Sequence, residues 1–203
     1  MSQPQDRRAV ILSKSAELFA RKGVSATTVR EIADEVGMLS GSLYHHFPSK
    51  DAILYQIITS YVDDLLARYR EAAGADLDPR ARMHALVLVS LQTAEARPHA
   101  TQIYQNELSY LRERPQYEPV FAAVSQVQQA WLDTIEAGRA AGVFRQDIAP
   151  RIFYRFIRDA VWLSVRWRKP DSDYPVEQLA DDCTSIFLDG FAVRTPAEAS
   201  PST

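Results

Sequence analysis

Residues 28–50 read Thr-Val-Arg-Glu-Ile-Ala-Asp-Glu-Val-Gly-Met-Leu-Ser-Gly-Ser-Leu-Tyr-His-His-Phe-Pro-Ser-Lys. Thr27 or Thr28 is suited to cap a helix at the start of this stretch. Glu31 stands three residues after Thr28, where a capping-box partner is expected. The first part of the stretch therefore predicts a short, capped helix over 29–36.

The second part of the stretch predicts a turn and another short helix. Gly37 ends the first helix, because glycine readily takes the left-handed conformation found at helix ends. The second helix is predicted over 39–46, is closed by Phe47-Pro48, and turns Leu43 and Phe47 inward. Two short helices joined at a glycine are typical of a helix-turn-helix.

Longer helical patterns flank this unit on both sides. Before it, apolar residues recur at helical spacing over 7–22, and Gly23 ends the pattern. After it, Ser49 is predicted to cap a long helix over residues 50 to about 73. Five more helical runs are predicted over 80–96, 99–113, 116–141, 150–168 and 174–193, with prolines at their borders. No strand is indicated, so the predicted fold class is all-α with nine helices.

The composition is that of an ordinary globular protein, with 46% hydrophobic and 24% charged residues over 203 positions. Cys183 is the one cysteine in the sequence, so an internal disulfide cannot form and nothing indicates an oxidising compartment. No run of about 18 apolar residues is present, and the first residues are polar. The sequence therefore predicts a soluble, cytoplasmic protein without membrane contact.

Motifs of catalysis and metal binding are not found in the sequence. It has no glycine-rich phosphate loop, no nucleophile elbow and no His-Glu-x-x-His. The four histidines lack ligand spacing, and adjacent His45 and His46 would point about 100° apart on a helix. We therefore predict no cofactor, no metal and no enzyme activity.

Charge is divided unevenly along the chain. Residues 1–50 carry seven basic and five acidic side chains, whereas the remaining residues carry 16 basic and 21 acidic ones. A mildly basic segment on an acidic body favours a local contact with a polyanion. The sequence pI of about 5.8 lies below the range of strongly basic nucleic-acid binders. Charge alone therefore gives only a weak indication of DNA binding.

Small polar side chains on the predicted second helix can reach base edges in a DNA major groove and the phosphates beside it. Gly41 would allow the helix to approach the duplex closely, and the helix start near Thr28 would offer N–H groups to a phosphate. Taken singly, Tyr44 could equally be a core aromatic, and adjacent histidines are often surface residues. The candidate DNA contacts are Thr27, Thr28, Arg30, Ser40, Gly41, Ser42, Tyr44, His45, His46 and Lys50.

In the rest of the chain, the 150–168 run mixes arginines with many apolar residues. Arg158 and Trp162 are four residues apart and share a helix face. Together they can hold an anionic ligand with a planar end, the guanidinium on the anion and the indole against the ring. The alternative is a core tryptophan beside an arginine that is paired with an acidic residue. Further candidates are Tyr104, Glu107 and Leu108, for which ordinary packing is an equal alternative.

The segment Ala26-Thr-Thr-Val-Arg-Glu-Ile-Ala33, followed by Gly41-Ser-Leu-Tyr-His-His-Phe-Pro-Ser-Lys50, resembles the signature of TetR-family transcriptional regulators. The resemblance covers roughly residues 7–55. It implies a helix-turn-helix DNA-binding domain over 1–48 and a ligand-binding, dimer-forming domain over 49–194. It also implies that the candidate DNA contacts other than Thr27 occupy the family's contact positions, with His46 as a phosphate contact.

Two further features concern Leu39 and the end of the chain. Leu39 departs from the family signature, in which many relatives carry a small polar residue; it either reads a thymine methyl or packs. The last residues, 195–203, are rich in Pro, Ser and Ala and are expected to form a disordered tail.

A narrower resemblance concerns the ligand. The run Tyr154-Arg-Phe-Ile-Arg-Asp-Ala-Val-Trp-Leu-Ser-Val-Arg-Trp167 resembles the same helix in actinobacterial TetR-type repressors of late cholesterol catabolism. Ser40-Gly-Ser-Leu-Tyr-His-His-Phe47 and Ile103-Tyr-Gln-Asn-Glu107 are similar to that group as well. Its members respond to CoA thioesters of steroid-ring fragments. The resemblance therefore implies that Arg158 and Trp162 contact such a thioester.

The implied mechanism is that of a homodimer on double-stranded DNA. The last two long helices would pair with their copies, which sets two recognition helices about 34 Å apart on a palindromic operator. An effector that prefers another spacing would release the DNA. Three alternatives stay open: an effector that is another acyl-CoA or hydrophobic molecule, an acyl-binding dimer without a specific DNA target, and an enzyme acting on a CoA thioester.

Overall fold

The computed structural model describes residues 4–168 and 173–190. Every regular element within these ranges is helical, and none of the described helices is long and apolar enough to cross a membrane. The α-helices in chain order are α1 (Pro4–Lys22), α2 (Val29–Val36), α3 (Ser40–Tyr44), α4 (Lys50–Gly74), α5 (Pro79–Ala96), α6 (Pro98–Asn106), α7 (Leu108–Arg112), α8 (Glu118–Ala140), α9 (Pro150–Trp162) and α10 (Val176–Asp189). Single 3₁₀ turns precede α8 (Pro115–Tyr117) and follow α9 (Leu163–Arg166).

The first three helices form a small bundle whose ends are fixed locally. Thr28 caps α2, and its side chain and that of Glu31 form a complete capping box. Gly23 and Gly37 follow α1 and α2 with φ of +83° and +69°, a region that residues with a Cβ rarely adopt. Ser49 caps α4 by accepting a hydrogen bond from the Ala52 N–H at 3.1 Å. These predicted caps and stops are confirmed.

One continuous apolar core runs from this bundle into the rest of the chain. Leu43 and Phe47 are buried, as predicted, and pack with α1 and α2. Helix α4 extends the core, since its buried residues continue from Ile53 to Tyr69 and contact α5 and α8. Each fully buried Leu or Ile contributes roughly 1.5–3 kcal/mol. Helix α4 therefore joins the helix-turn-helix unit to the larger helical body.

A buried hydrogen-bond network crosses the centre of that body. The Trp131 Nε1–H donates to the Tyr69 hydroxyl at 2.9 Å, and that hydroxyl contacts the Ser90 hydroxyl. Ser90 in turn donates to the Leu86 carbonyl at 2.7 Å. Burial raises the pKa of Tyr69 well above its ordinary value. The network fixes α4, α5 and α8 relative to one another, because each helix supplies at least one of its members.

The structure changes three predicted elements. The single run predicted over 99–113 is divided into α6 and α7 at Glu107, so the described residues contain ten α-helices rather than nine. The run predicted over 150–168 leaves α-geometry after Trp162, where the Ser164 hydroxyl donates to the Val161 carbonyl at 2.6 Å and competes with the backbone. Helix α10 runs from Val176 to Asp189, so it begins two residues later and ends four residues earlier than predicted. The predicted tail lies outside the described residues.

Candidate functional site

Helix α3 presents one face to solvent. Tyr44 is 53% exposed and Leu39, just before the helix, is 79% exposed. The other members of this α3 face are Gly41, Ser42 and His45, which are exposed, and Ser40 and His46, which are partly exposed. The opposite side of α3 is anchored by buried Leu43. The predicted DNA contacts on α3 therefore lie together on one accessible surface.

Gly41 sits on this face without a packing reason inside the chain. A Cβ added there would meet no atom within 4 Å, and its φ is not in the left-handed region. Neither the fold nor the backbone conformation therefore requires glycine at this position. The space over Gly41 is open to a molecule outside the chain.

Arg30 on α2 adds a cation near this face. Its side chain is 87% exposed and approaches Asp34 only at 3.9 Å. Exposed pairs of this kind contribute little, about 0–1 kcal/mol. The Arg30 guanidinium therefore stays available to an outside acceptor.

Three predicted DNA contacts are engaged inside the chain. Thr27 is 1% exposed, and its hydroxyl donates to the Gly23 carbonyl at 2.8 Å, so its side chain lies inside the unit and its DNA contact stays a prediction. The Thr28 N–H donates to the Glu31 carboxylate at 2.8 Å and is not free for a phosphate. Lys50 donates through Nζ to the Val24 and Thr27 carbonyls at 2.7 and 2.8 Å. These hydrogen bonds fix the turn before α2, and the DNA contacts of Thr28 and Lys50 stay predictions.

Hydrogen bonds from Lys22 and Thr28 lower the pKa of Glu31. The Lys22 ammonium hydrogen-bonds the Glu31 carboxylate, which further accepts from the Thr28 backbone and hydroxyl. These bonds, that of Lys22 first, lower the pKa of Glu31 from 4.5 to about 2. The negative charge at the start of α2 is thereby retained, and it interacts favourably with the helix dipole there.

A second set of predicted residues meets at α6 and α9. The Trp162 ring stands edge-on to the Tyr104 ring, with centroids 5.9 Å apart. The Arg158 guanidinium lies 5.7 Å from the centroid of the Tyr154 ring. Burial raises the pKa of Tyr104, and Arg112 and Arg158 are close enough to oppose that shift. We call Tyr104, Tyr154, Arg158 and Trp162 the Arg158 cluster.

Arg158 also has a partner of its own. Its Nε donates to the Asp159 carboxylate at 2.8 Å, and its side chain is 38% exposed. The pairing with an acidic residue that the sequence left as an alternative is thus present. Because the pair is exposed, water screens it strongly, and the guanidinium can exchange Asp159 for another anion at little cost.

Two predicted ligand residues lie elsewhere. The Glu107 carboxylate accepts a hydrogen bond from the Val24 N–H at 2.9 Å, in the turn before α2, and its predicted ligand contact stays a prediction. Leu108 is partly buried and packs against the apolar core. Sequence reasoning missed Tyr154 and Gln105, whose Nε2 donates to the Trp162 carbonyl. Tyr154 precedes Arg158 by four residues, a spacing that indicated a shared face.

An exposed set of large apolar side chains, which we call the apolar surface, lies on α9, at the 3₁₀ turn that follows it and on α10. Phe156 is 68% exposed and Trp167 is 63% exposed. Exposed apolar side chains on neighbouring elements favour a protein contact. The members of this surface are Ile152, Phe156, Leu163, Trp167 and Ile186.

Potential metal-ligating side chains are scattered over the molecule. Among the residues that the structure describes, no group of three or more His, Cys, Asp or Glu side chains could hold a metal ion. His84 contacts Asp181 at 2.8 Å, which is a pairwise contact.

Comparison with known proteins identifies the family. Residues 11–57 match the family described as bacterial regulatory proteins, tetR family, and residues 76–191 match the tetracyclin repressor-like C-terminal domain. The chain belongs to the TetR family. The family resemblance drawn from 26–33 and 41–50 is confirmed.

Relatives of this TetR-family protein match along almost its whole length. The transcriptional repressor KstR2 of Rhodococcus jostii is 41% identical over 186 residues, which cover 92% of this chain and 91% of KstR2. KstR2 of Mycolicibacterium smegmatis is 39% identical over 189 residues, covering 93% and 92%. The solved structure of the ketosteroid regulator KstR2 of Mycobacterium tuberculosis is 36% identical, has a TM-score of 0.87 and covers 95% of this chain and 98% of that one. This TetR-family protein is therefore a transcriptional repressor homologous to KstR2, and these relatives are regulators rather than enzymes.

Proposed function

We propose that this TetR-family protein is a homodimeric repressor that binds a palindromic operator and is released by a CoA thioester of a steroid-ring degradation product. Residues 1–48 serve as the DNA-binding domain, and residues 49–194 bind the effector and the second copy. The observation that carries the proposal is the pairing of an open α3 face with the Arg158 cluster in the same chain.

The α3 face supports major-groove binding. Tyr44, Ser42 and His45 offer hydroxyl and imidazole groups that can reach base edges and phosphates. Leu39 is 79% exposed, which favours contact with a thymine methyl over packing within the chain. Exposed Arg30 can donate to a guanine or a phosphate.

The Arg158 cluster supports an effector with two unlike parts. Exposed Arg158 can pair with a phosphate or carboxylate, and the rings of Tyr104, Tyr154 and Trp162 can pack against an apolar ring system. A CoA thioester of a cyclic acid carries both parts in one molecule. The relative KstR2 of Mycobacterium tuberculosis is a ketosteroid regulator, which supports a steroid-derived acyl group for this chain as well.

The apolar surface on α9 and α10 supports dimerisation through those helices. Two copies related by a twofold axis would bury the same patch on each other. Such a dimer presents two α3 faces, and an operator with half-sites about 34 Å apart would match them.

Release follows from how the cluster is packed. Because the Tyr104 and Trp162 rings touch edge-on, an acyl group that enters between them has to separate α6 from α9. Only an effector that binds the separated arrangement more tightly can shift the dimer away from DNA. The factor by which the effector weakens operator binding is then limited by the difference between its affinities for the separated and the packed arrangements.

The first experiment is a gel shift on the DNA upstream of this protein's own gene. The probes are the CoA thioester of a hydrindane carboxylic acid (the fused six- and five-membered rings of a steroid), octanoyl-CoA and free CoA. We expect retarded DNA that only the hydrindane thioester releases. Release by octanoyl-CoA as well would indicate a broader acyl-CoA regulator. The absence of a specific shift would refute the repressor role and favour an acyl-binding dimer.

The second experiment tests the effector site. We expect Arg158→Ala and Trp162→Ala to bind the operator as the wild type does and to need at least about tenfold more thioester for release. Arg145→Ala is the matched control, because Arg145 also forms an exposed pair with a nearby aspartate, Asp147. Unchanged thioester sensitivity in both cluster variants would refute the site.

A further inference from the structure

Glu107 lies at the junction between α6 and α7 and reaches into the helix-turn-helix unit. Its Oε1 accepts a hydrogen bond from the Val24 N–H at 2.9 Å, across 83 residues of sequence. Val24 is fully buried, and it lies in the turn between α1 and α2, which we call the α1–α2 loop (residues 23–28). A charge-assisted bond to a buried N–H is roughly twice as strong as a neutral one.

The same loop is held from the other side by Lys50. Its ammonium donates to the carbonyls of Val24 and Thr27 at 2.7 and 2.8 Å. The α1–α2 loop is therefore fixed between Glu107 of the body and the first residue of α4. Thr28, which caps α2, directly follows Thr27, the last residue bonded by Lys50. The position of the loop therefore sets where α2 begins.

The residues before Glu107 contact the end of α9. Gln105 donates to the carbonyl of Trp162, a member of the Arg158 cluster. Arg166 donates to the Asn106 side chain at 3.1 Å. Gln105, Asn106 and Glu107 thus join the end of α9 and the 3₁₀ turn after it on one side to the α1–α2 loop on the other. The break between α6 and α7 at Glu107 lets this short segment face both ways.

We propose that Glu107 is the positioning residue that ties the α1–α2 loop to the α6–α7 junction and transmits movement of Trp162 to the helix-turn-helix unit. The inference rests on the proposed function for the identity of the effector. Its structural part, the fixing of the loop, is independent of any effector. Glu107 touches neither DNA nor effector and acts through the Val24 peptide.

The test compares Glu107→Leu, which cannot accept a hydrogen bond, with Glu107→Gln, whose amide oxygen can. Glu113→Leu is the matched control, since Glu113 is an exposed glutamate at the end of α7. Two quantities are measured on the full-length dimer: the hydrogen–deuterium exchange of the Val24 amide, and the ratio of operator Kd with and without saturating hydrindane-CoA. Thermal unfolding and dimer mass establish that each variant is folded.

For Glu107→Leu we expect Val24 exchange about tenfold faster than in the wild type. We also expect an effector response about 3- to 30-fold smaller, while the effector itself binds as before. Glu107→Gln restores both quantities to within about twofold, and Glu113→Leu changes neither. Wild-type exchange together with a full response in Glu107→Leu would overturn the proposal.

Gln105→Leu provides a second route if Glu107→Leu does not fold. It breaks the link to Trp162 and leaves the bond to Val24, so we expect a smaller response with unchanged Val24 exchange. A full response in this variant would overturn the transmission route. If the wild type binds no thioester, the proposed effector is wrong. The role of Glu107 is then tested by the Val24 exchange rate and by the operator Kd measured without effector. Unchanged values of both in Glu107→Leu would then overturn its role.

Discussion

The α3 face and the Arg158 cluster are built in opposite ways. The α3 face comes from one continuous stretch, and its polar groups point outward from a single buried anchor, Leu43. The Arg158 cluster takes Tyr104 from α6 and its other members from α9, and the Tyr104 and Trp162 rings contact each other across the two helices. A local surface depends little on the rest of the fold, whereas a cluster from distant segments moves when its helices move. This contrast fits a DNA-binding domain of fixed shape joined to a ligand-binding domain that changes conformation.

The largest effect is expected from Tyr44→Ala. We expect a loss of about 100-fold in operator affinity, because each copy of the dimer loses a contact worth about 1–3 kcal/mol. The dimer and its thermal stability stay unchanged, since Tyr44 is 53% exposed and supports no core packing. Fluorescence anisotropy on a labelled operator measures the loss. Wild-type affinity would defeat the assignment of the α3 face.

Lys50→Met separates a positioning role from a DNA contact. Methionine keeps the length of the side chain but leaves the Val24 and Thr27 carbonyls without their donor, so we expect a loss of about 1–3 kcal/mol in stability. Urea unfolding measures this loss. A phosphate contact would instead leave stability intact and lower the slope of log K against log salt by about 0.9 for each copy.

Tyr69→Phe tests the interior of the body. It removes the acceptor of the buried Trp131 Nε1–H, and we expect a loss of about 1–3 kcal/mol in stability. Operator affinity per folded dimer stays unchanged, because the α3 face is remote from this network. Calorimetry and anisotropy on the same preparation check both statements. A loss of operator affinity without a loss of stability would contradict the view that the α3 face is independent of the interior of the body.

The smallest effect concerns pH and Glu31. Its pKa is lowered from 4.5 to about 2 in the folded chain, so its contribution to stability is present above pH 4.5 and is lost as the pH falls toward 2. We therefore expect Glu31→Gln to unfold at a lower temperature than the wild type at pH 7, with a difference that shrinks as the pH falls below 4.5 toward 2. A constant difference across this range would show that the carboxylate charge is not involved.

What the sequence predicted follows the same division. The capping box of Thr28 and Glu31 and the stop at Gly37 depend on residues a few positions apart, and their patterns predicted them correctly. The partner of Glu107 lies 83 residues away, and the two partners of Lys50 lie 26 and 23 residues away. No spacing rule joins such positions. Neither the bond between Glu107 and Val24 nor the break between α6 and α7 therefore had a local signal in the sequence.

The release of a labelled operator by hydrindane-CoA, followed by anisotropy for the wild type and Trp162→Ala, tests the proposed effector response most directly. We predict equal operator affinity for both proteins without effector. We also predict release of the wild type at a thioester concentration at least about tenfold below that needed for the variant. Equal release of both proteins, or no release of the wild type, would contradict the proposed response.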